Sequence, residues 1–304
     1  MSCLGSANVA ERFSHISTRH PCFSGEANMA HGRLHLPVSP GCNIQCRFCK
    51  RTFNKAAQLP AEQRPGVSAA LLKPEGAAAL VRKALELCPE ITVAGIAGPG
   101  DTLATPHALE TFRIIHREFP HLINCMSTNG LLLERYAEDV RDAGVKTLTV
   151  TVNAIDPVIL DKICSLVILD GKKYTGVEGA VILIEAQKRG IRKAADLGLL
   201  IKINIVLVPG VNGDHIDEIA RSVAELGAGI INIIPLIPQH EFADHEVPDC
   251  EELARVREAA EAYLPVFRHC QHCRADACGI PGKGDLSSLL YGEEREFEQT
   301  FSHG

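Results

Sequence analysis

Tryptophan is absent from this chain, and aromatic residues make up only 5% of its 304 residues. Proteins that hold single-stranded nucleic acid usually combine aromatic stacking platforms with a basic groove. The net charge is −6 and the sequence contains no long basic block. A nucleic-acid partner is therefore not expected.

Long apolar segments are missing as well. The longest apolar stretch, residues 197–209, is interrupted by Lys202 and Asn204, and a membrane-spanning helix needs a run of about eighteen apolar residues. The first twenty residues contain no apolar segment of the kind found in secretory signals. We therefore expect a cytoplasmic protein with no membrane partner.

Cysteine is the residue type that stands out, with 12 in the chain. In a reducing compartment, so many thiols indicate metal binding or catalysis more than disulfide bonds. Cys88 and Cys164 lie within apolar patterns and are expected to be small buried core residues.

Strand-like and helix-like segments alternate along the chain. The predicted strands are residues 33–38, 91–98, 122–127, 145–153, 200–208 and 230–236. The predicted helices are residues 75–87, 105–117, 131–144, 156–164, 177–197, 213–227 and 250–263. This order predicts an α/β fold with a parallel sheet, and six strands favour a partial (β/α)6 barrel of the TIM type. We expect one domain over residues 1–280 and a charged C-terminal tail at 281–304.

Glycines, cysteines and polar residues recur where the predicted strands end. In parallel α/β folds the functional sites lie at the carboxyl ends of the strands, so these loops are expected to meet at one mouth. They are residues 42–49, 98–101, 125–130 and 209–212, together with Asn153 and Pro235.

The sharpest motif is a C-x3-C-x2-C run formed by Cys42, Cys46 and Cys49. Three thiolates in one loop can bind three irons of a four-iron cluster, which leaves the fourth iron open for a small molecule. A zinc site is the alternative, with these thiolates and a distant histidine or cysteine as ligands.

With Phe48 before its last cysteine, this motif resembles that of the radical S-adenosylmethionine (SAM) superfamily. The resemblance implies that the open iron binds the amino and carboxylate groups of SAM. It also implies that an electron from the cluster cleaves a carbon–sulfur bond, giving methionine and a 5′-deoxyadenosyl radical.

Nine further segments, spread over about residues 20–280, resemble the family of nitrogenase iron–molybdenum cofactor biosynthesis enzymes within that superfamily. They are residues 20–22, 33–38, 42–46, 64–67, 95–101, 127–130, 176–180, 208–212 and 268–276. The family resemblance implies a lyase-type, carbide-inserting enzyme of nitrogen fixation. Such an enzyme fuses two [4Fe-4S] substrate clusters around a carbide from the SAM methyl group and yields the eight-iron precursor of the nitrogenase cofactor.

The same resemblance assigns ligands to each cluster. The SAM-binding [4Fe-4S] cluster would take Cys42, Cys46 and Cys49, one substrate cluster would take Cys22, His35 and Cys125, and the other would take Cys270 and Cys273. Cys22 would lie between the two substrate clusters, and His31 is a further candidate. Other readings stay open at this point: Cys125 as a core residue, His35 as a strand-end histidine, and Cys270 with Cys273 as a zinc hook.

Seven residues at strand ends are expected to form the SAM pocket. The glycine-rich element after the second predicted strand resembles the one that contacts the SAM amino group in radical SAM enzymes, and Asp101 would neutralise that group or orient a neighbour. Polar residues at strand ends suit the ribose and carboxylate, although such residues also serve as caps and turn formers. The seven are Gly98, Pro99, Gly100, Asp101, Ser127, Thr128 and Asn153.

The expected partners follow from the short, stand-alone form of the chain. No cofactor-carrier domain follows residue 280, so a carrier or scaffold protein would act in trans, together with an iron–sulfur cluster donor and an electron donor. Two other functions remain possible. One is a radical SAM enzyme that modifies a small molecule or peptide with an auxiliary cluster, and the other is a non-catalytic zinc or iron–sulfur module.

Overall fold

The computed structural model describes residues 13–49, 71–270 and 273–291. Its strands are β1 (Gly32–His35), β2 (Ile44–Cys46), β3 (Ile91–Ile96), β4 (Ile123–Thr128), β5 (Val145–Thr151), β6 (Cys164–Leu169), β7 (Lys172–Tyr174), β8 (Leu200–Leu207), β9 (Ile230–Pro235) and β10 (Cys278–Gly279). Its α-helices are α1 (Ser14–Ser17), α2 (Gly25–Ala30), α3 (Ala77–Leu87), α4 (His107–Glu118), α5 (Leu133–Asp142), α6 (Pro157–Asp161), α7 (Gly176–Asp196), α8 (Ile216–Glu225), α9 (Cys250–Glu261) and α10 (Ser287–Tyr291).

Seven strands form the central sheet, in the order β10-β1-β3-β4-β5-β8-β9. Six of them run parallel, and β10 pairs antiparallel with β1. The sheet curls into a half-barrel with helices outside. This confirms the predicted partial barrel and its six parallel strands.

Strand β8 shows how the barrel uses its two faces. All of its residues are buried, as is usual for a parallel strand covered on both sides. Ile201, Ile203 and Ile205 belong to the main apolar core, which also contains residues of the surrounding helices. Because side chains alternate along a strand, Lys202 and Asn204 lie on the opposite, concave face.

The segment after β5 differs from the prediction. A helix was expected over residues 156–164, but α6 ends at Asp161 and the chain enters β6. The next residues form a hairpin, because Asp170 and Gly171 have φ values of 52° and 76°. Such an Asp-Gly pair between apolar runs is a strong hairpin signal, which the sequence analysis missed. Strands β2, β6 and β7 form a second, antiparallel sheet.

Strands β1 and β10, which are far apart in sequence, pair at one edge of the half-barrel. Strand β10 covers β1, and the Tyr291 hydroxyl donates a hydrogen bond to the main-chain carbonyl of His35 at 2.7 Å. The structure therefore holds the beginning of the predicted tail against β1 as far as residue 291, and residues 292–304 lie outside the described part. In the described ranges, no helix combines the length and apolar character that crossing a membrane requires.

Candidate metal centre

The C-x3-C-x2-C loop is fixed by the second sheet. Strand β2 runs through the loop and pairs with β6, with Cys46 opposite Cys164. The side-chain amide of Gln45 donates to the main-chain carbonyls of Cys46 and Cys49, both at 2.9 Å. Phe48 is fully buried. The positions of the three cysteines are thus fixed by strand β2, by the two hydrogen bonds of the Gln45 amide (the Gln45 clamp) and by the buried side chain of Phe48.

The three thiols of the loop lie close enough to influence each other's charge. A hydrogen bond with the Cys164 thiol, burial, and the charges of Cys49 and Cys42 raise the pKa of Cys46 well above its ordinary value. Metal binding must therefore displace a proton from Cys46. Three thiols on one rigid loop fit a four-iron cluster, in which each of three irons binds one cysteine sulfur of the protein.

Cys164 was predicted as a small buried core residue, and its burial is confirmed, as is that of Cys88. The sequence did not indicate that Cys164 touches the cluster loop, because that contact depends on the missed hairpin. Among the described residues, no three histidine, cysteine or acidic side chains converge closely enough for a single metal ion. A four-iron cluster does not require such convergence, because each cysteine sulfur binds a different iron.

The glycine-rich element, residues 98–101, lies directly against the cluster loop. Gly100 N–H donates to the Ser39 carbonyl at 2.6 Å, Asp101 N–H donates to the Gly41 carbonyl at 2.8 Å, and Pro99 bridges to Ser39. A Cβ atom on Gly100 would overlap the backbone of Gly41. Glycine is therefore required at position 100, because its backbone closely approaches that of Gly41, the residue before Cys42.

Gly100→Ala should displace the cluster loop. We expect formation of 5′-deoxyadenosine to fall about a hundredfold, the scale of loss for a misplacement of about 1 Å at a reacting centre. The assay is SAM cleavage under dithionite after anaerobic reconstitution. Gly76→Ala is the matched control, since a Cβ there meets nothing within 4 Å. Equal activity in the two variants would contradict a tight contact between the loops.

Asp101 connects the ends of β3 and β4. Its buried carboxylate accepts hydrogen bonds from Leu103 N–H at 2.9 Å, the Thr128 hydroxyl at 2.9 Å and Asn129 N–H at 2.6 Å. The side-chain amide of Asn129 then donates to the Asn43 side-chain oxygen at 2.6 Å. Of the two predicted roles of Asp101, this geometry favours the orientation of neighbours. Asn129, which the sequence analysis did not name as a site residue, carries the connection to the cluster loop.

Ser127 and Asn153 lie at the ends of neighbouring strands. The Ser127 main-chain carbonyl accepts a hydrogen bond from the Thr102 hydroxyl at 2.6 Å. The side-chain oxygen of Asn153 accepts from Val206 N–H at 2.9 Å, which links the end of β5 to β8. The predicted pocket residues therefore follow the carboxyl ends of β3, β4 and β5, beside the cluster loop.

A second group of metal-binding side chains lies on three adjacent strands. His35 of β1 pairs with Gly95 of β3, and Gly95 pairs with Cys125 of β4. Residues paired in this way point to the same face of a sheet. A Cβ at Gly95 would lie 3.0 Å from the His35 ring. His35, Gly95 and Cys125 thus form one row of paired residues across the three strands. Gly95 leaves room between the imidazole of His35 and the thiol of Cys125.

The tautomer of the His35 ring is fixed by a main-chain hydrogen bond. Its Nδ1 lies 2.8 Å from the main-chain carbonyl of Arg274. Because a carbonyl only accepts, Nδ1 carries the proton and Nε2 keeps its lone pair. Burial and the nearby Arg33 lower the pKa of His35 to about 4, so the ring is neutral at physiological pH.

The remaining thiols lie beside this row. Burial and the charges of Cys273, Cys125 and Cys270 raise the pKa of Cys22 to about 12. The structure therefore brings together four thiols from three distant parts of the chain. His31 ends up just after α2, where its main-chain N–H bonds back to Ala27. It stays an untested candidate.

Arg33 is a site residue that motif spacing did not single out. Its guanidinium is only 5% exposed and donates to the Cys273 sulfur from Nε at 3.3 Å and Nη2 at 3.1 Å. Nη1 donates to the Gly279 carbonyl at 2.6 Å. Arg33 thus fixes the segment containing Cys273 to β1 and supplies positive charge beside a sulfur.

Comparison with known proteins agrees with this geometry. Residues 36–223 match the Radical SAM superfamily. The chain is 48% identical over 285 residues to the FeMo cofactor biosynthesis protein NifB of Methanocaldococcus infernus, covering 94% of this chain and 93% of that protein. It is 50% identical over 301 residues to the NifB protein of Methanocaldococcus jannaschii, covering 97% and 99%.

One solved structure supports the fold. A radical SAM methyltransferase from Sphaerobacter thermophilus superposes with a TM-score of 0.54 at 22% identity, over 77% of this chain and 64% of that one. At this identity the likeness concerns the fold alone.

Proposed function

The chain belongs to the NifB family of the radical SAM superfamily, and we propose that its part in FeMo cofactor biosynthesis is to fuse two four-iron clusters around a carbide. The carbide would come from the methyl group of SAM, and the product would be an eight-iron precursor of the nitrogenase cofactor. In this proposal the enzyme is of the lyase type, and the two [4Fe-4S] clusters are substrates.

One observation carries this proposal: the structure contains a second group of cysteine and histidine side chains beyond the C-x3-C-x2-C loop. Cys42, Cys46 and Cys49 stand on the loop held by β2, while His35 and Cys125 share a row on the central sheet. Cys22, Cys270 and Cys273 lie with the second group. A radical SAM enzyme with neither metal substrates nor an auxiliary cluster needs only the first group, which holds the cluster for SAM.

The first group fits a resident [4Fe-4S] cluster. When bound there, this cluster supplies an open iron for SAM and the electron that cleaves the carbon–sulfur bond. The protein holds the three thiols in place through β2 and the Gln45 clamp. We assign the SAM pocket to Gly98, Pro99, Gly100, Asp101, Ser127, Thr128 and Asn153.

The second group suits substrate clusters that must be released from the protein after they are fused. We assign one substrate cluster to Cys22, His35 and Cys125 and the other to Cys270 and Cys273. Five ligands for eight irons leave three irons without a protein bond, so the fused product is held by few bonds and can be released. The free thiols require a reducing compartment such as the cytoplasm. A cluster donor, an electron donor and a carrier protein complete the proposed pathway.

The deciding experiment is anaerobic reconstitution of the full chain with iron and sulfide. We expect about twelve irons per chain, the content of three four-iron clusters, together with 5′-deoxyadenosine after reduction with SAM. The product should activate nitrogenase that lacks its cofactor. About eight irons with SAM cleavage but no activation would favour the alternative radical SAM enzyme with one auxiliary cluster.

A further inference from the structure

Lys202 places a buried positive charge on the concave face of β8. Its side chain is only 6% exposed. The ammonium group lies 5.3 Å from the centre of the Phe23 ring and 5.7 Å from that of Phe267. Cation–π contacts with two rings hold the group in position.

The surroundings of Lys202 contain thiols and imidazoles, and no carboxylate ion pair. Its charge acts on Cys22, Cys125, His20 and His35, which come from the N-terminal segment, β1 and β4. In the part of the chain that the structure describes, none of the ion pairs includes Lys202. A buried charge normally has a partner of opposite sign, because it is costly to remove from water unpaired.

His20 gives a second, independent observation at the same place. It is 1% exposed, and its Nδ1 accepts a hydrogen bond from Cys22 N–H at 3.1 Å. The proton of the neutral ring is therefore on Nε2. This buried Nε2–H has no hydrogen-bond partner among the described residues. Two donors beside Cys22 thus lack an acceptor.

We propose that Lys202 is a positioning residue that binds the anionic sulfur face of a substrate cluster, with His20 as a second hydrogen-bond donor. This inference rests on the proposed function. Thiolate-bound iron–sulfur clusters are anionic, and their sulfides accept hydrogen bonds. A lysine suits this task because its compact charge has three donors that can rotate toward several sulfurs. The ammonium supplies countercharge without forming a bond to iron, so it retains the cluster without preventing release.

The test compares Lys202→Met with Lys202→Arg after anaerobic reconstitution with ferrous iron and sulfide. The positive charge favours the more negative, reduced state of a nearby cluster, so its removal should lower the reduction potential of the substrate clusters. We expect Lys202→Met to show this shift in a redox titration followed by electron paramagnetic resonance. Nitrogenase activation should fall at least about tenfold, the effect of losing a hydrogen bond to a charged group.

Several readouts separate positioning from a structural role. Lys202→Arg keeps the charge and should retain a potential near that of the wild type. The SAM cluster is an internal reference whose potential and 5′-deoxyadenosine yield should not change. Lys146→Met removes an exposed lysine from β5 and should behave as wild type. If Lys202→Met does not fold, Lys202→Gln removes the charge while keeping a polar side chain.

The outcomes distinguish this inference from the proposed function. If wild-type protein binds no substrate clusters, the proposed function fails and the role of Lys202 fails with it. If wild-type protein loads these clusters and the neutral variant shows the same potential, iron content and activation, only the role of Lys202 is overturned.

Discussion

Replacing Cys46 with alanine is expected to abolish 5′-deoxyadenosine formation. Cys46 is the central member of the C-x3-C-x2-C loop and one of the three residues of β2 that pair with β6. A four-iron cluster on two remaining thiolates is labile and loses the iron that SAM needs. Activity should fall below detection, at least about a thousandfold, which corresponds to about 4 kcal/mol of barrier. The measurement is 5′-deoxyadenosine per chain, with iron determined on the same sample.

Cys250→Ala is the matched control for that variant. Cys250 is an exposed thiol at the start of α9, so its removal costs no packing. It should leave both iron content and SAM cleavage unchanged. Cys42→Ala and Cys49→Ala should repeat the loss seen for Cys46→Ala. Undiminished SAM cleavage in Cys46→Ala would show that this loop does not hold the SAM cluster.

Replacing Cys22 or Cys273 with alanine should separate SAM cleavage from cofactor assembly. Both thiols belong to the second group, which is built on other elements than the cluster loop. We expect iron to fall from about twelve toward about eight per chain as one four-iron cluster is lost. SAM cleavage should persist, while activation of cofactor-free nitrogenase falls below detection.

Three measurements on the same preparations are needed for this result. Iron per chain reports loading, 5′-deoxyadenosine reports the SAM cluster, and nitrogenase activation reports the eight-iron product. Cys88→Ala serves as the control, because Cys88 is a buried thiol after α3 that belongs to neither group. Full iron and full activation in both Cys22→Ala and Cys273→Ala would show that these residues do not bind the substrate clusters.

The sequence predicted the parallel strands well because their signals are local. Strand β8 lies in the longest apolar stretch of the chain, and glycines end several neighbouring segments, so hydrophobic periodicity and turn residues were sufficient to predict the strands. The β6–β7 hairpin was missed because the predicted helix was extended to residue 164 and residues 165–176 were assigned to no strand or helix. The Asp170-Gly171 pair was the signal that could have corrected this.

The charged residues around the second group were harder to find. Arg33 lies far from Cys273 in sequence, and only the pairing of β1 with β10 brings the two together. Lys202 did give a signal, since it interrupts the longest apolar stretch of the chain. A charge in a strand buried on both faces indicates a functional interior, but its neighbours could not be named without the fold.

The pairing of β1 with β10 has a consequence for the order in which the protein is assembled. Leu34 lies opposite Cys278, so the two residues become neighbours only after Cys278 has been synthesised. The C-x3-C-x2-C loop pairs with β6, which is complete at Leu169, and Phe48 of the loop packs in an apolar cluster whose buried members extend only to Leu236. Because N-terminal parts fold first during synthesis, a growing chain can form its SAM-cluster loop while still on the ribosome. The second group, which requires Cys273, is completed later.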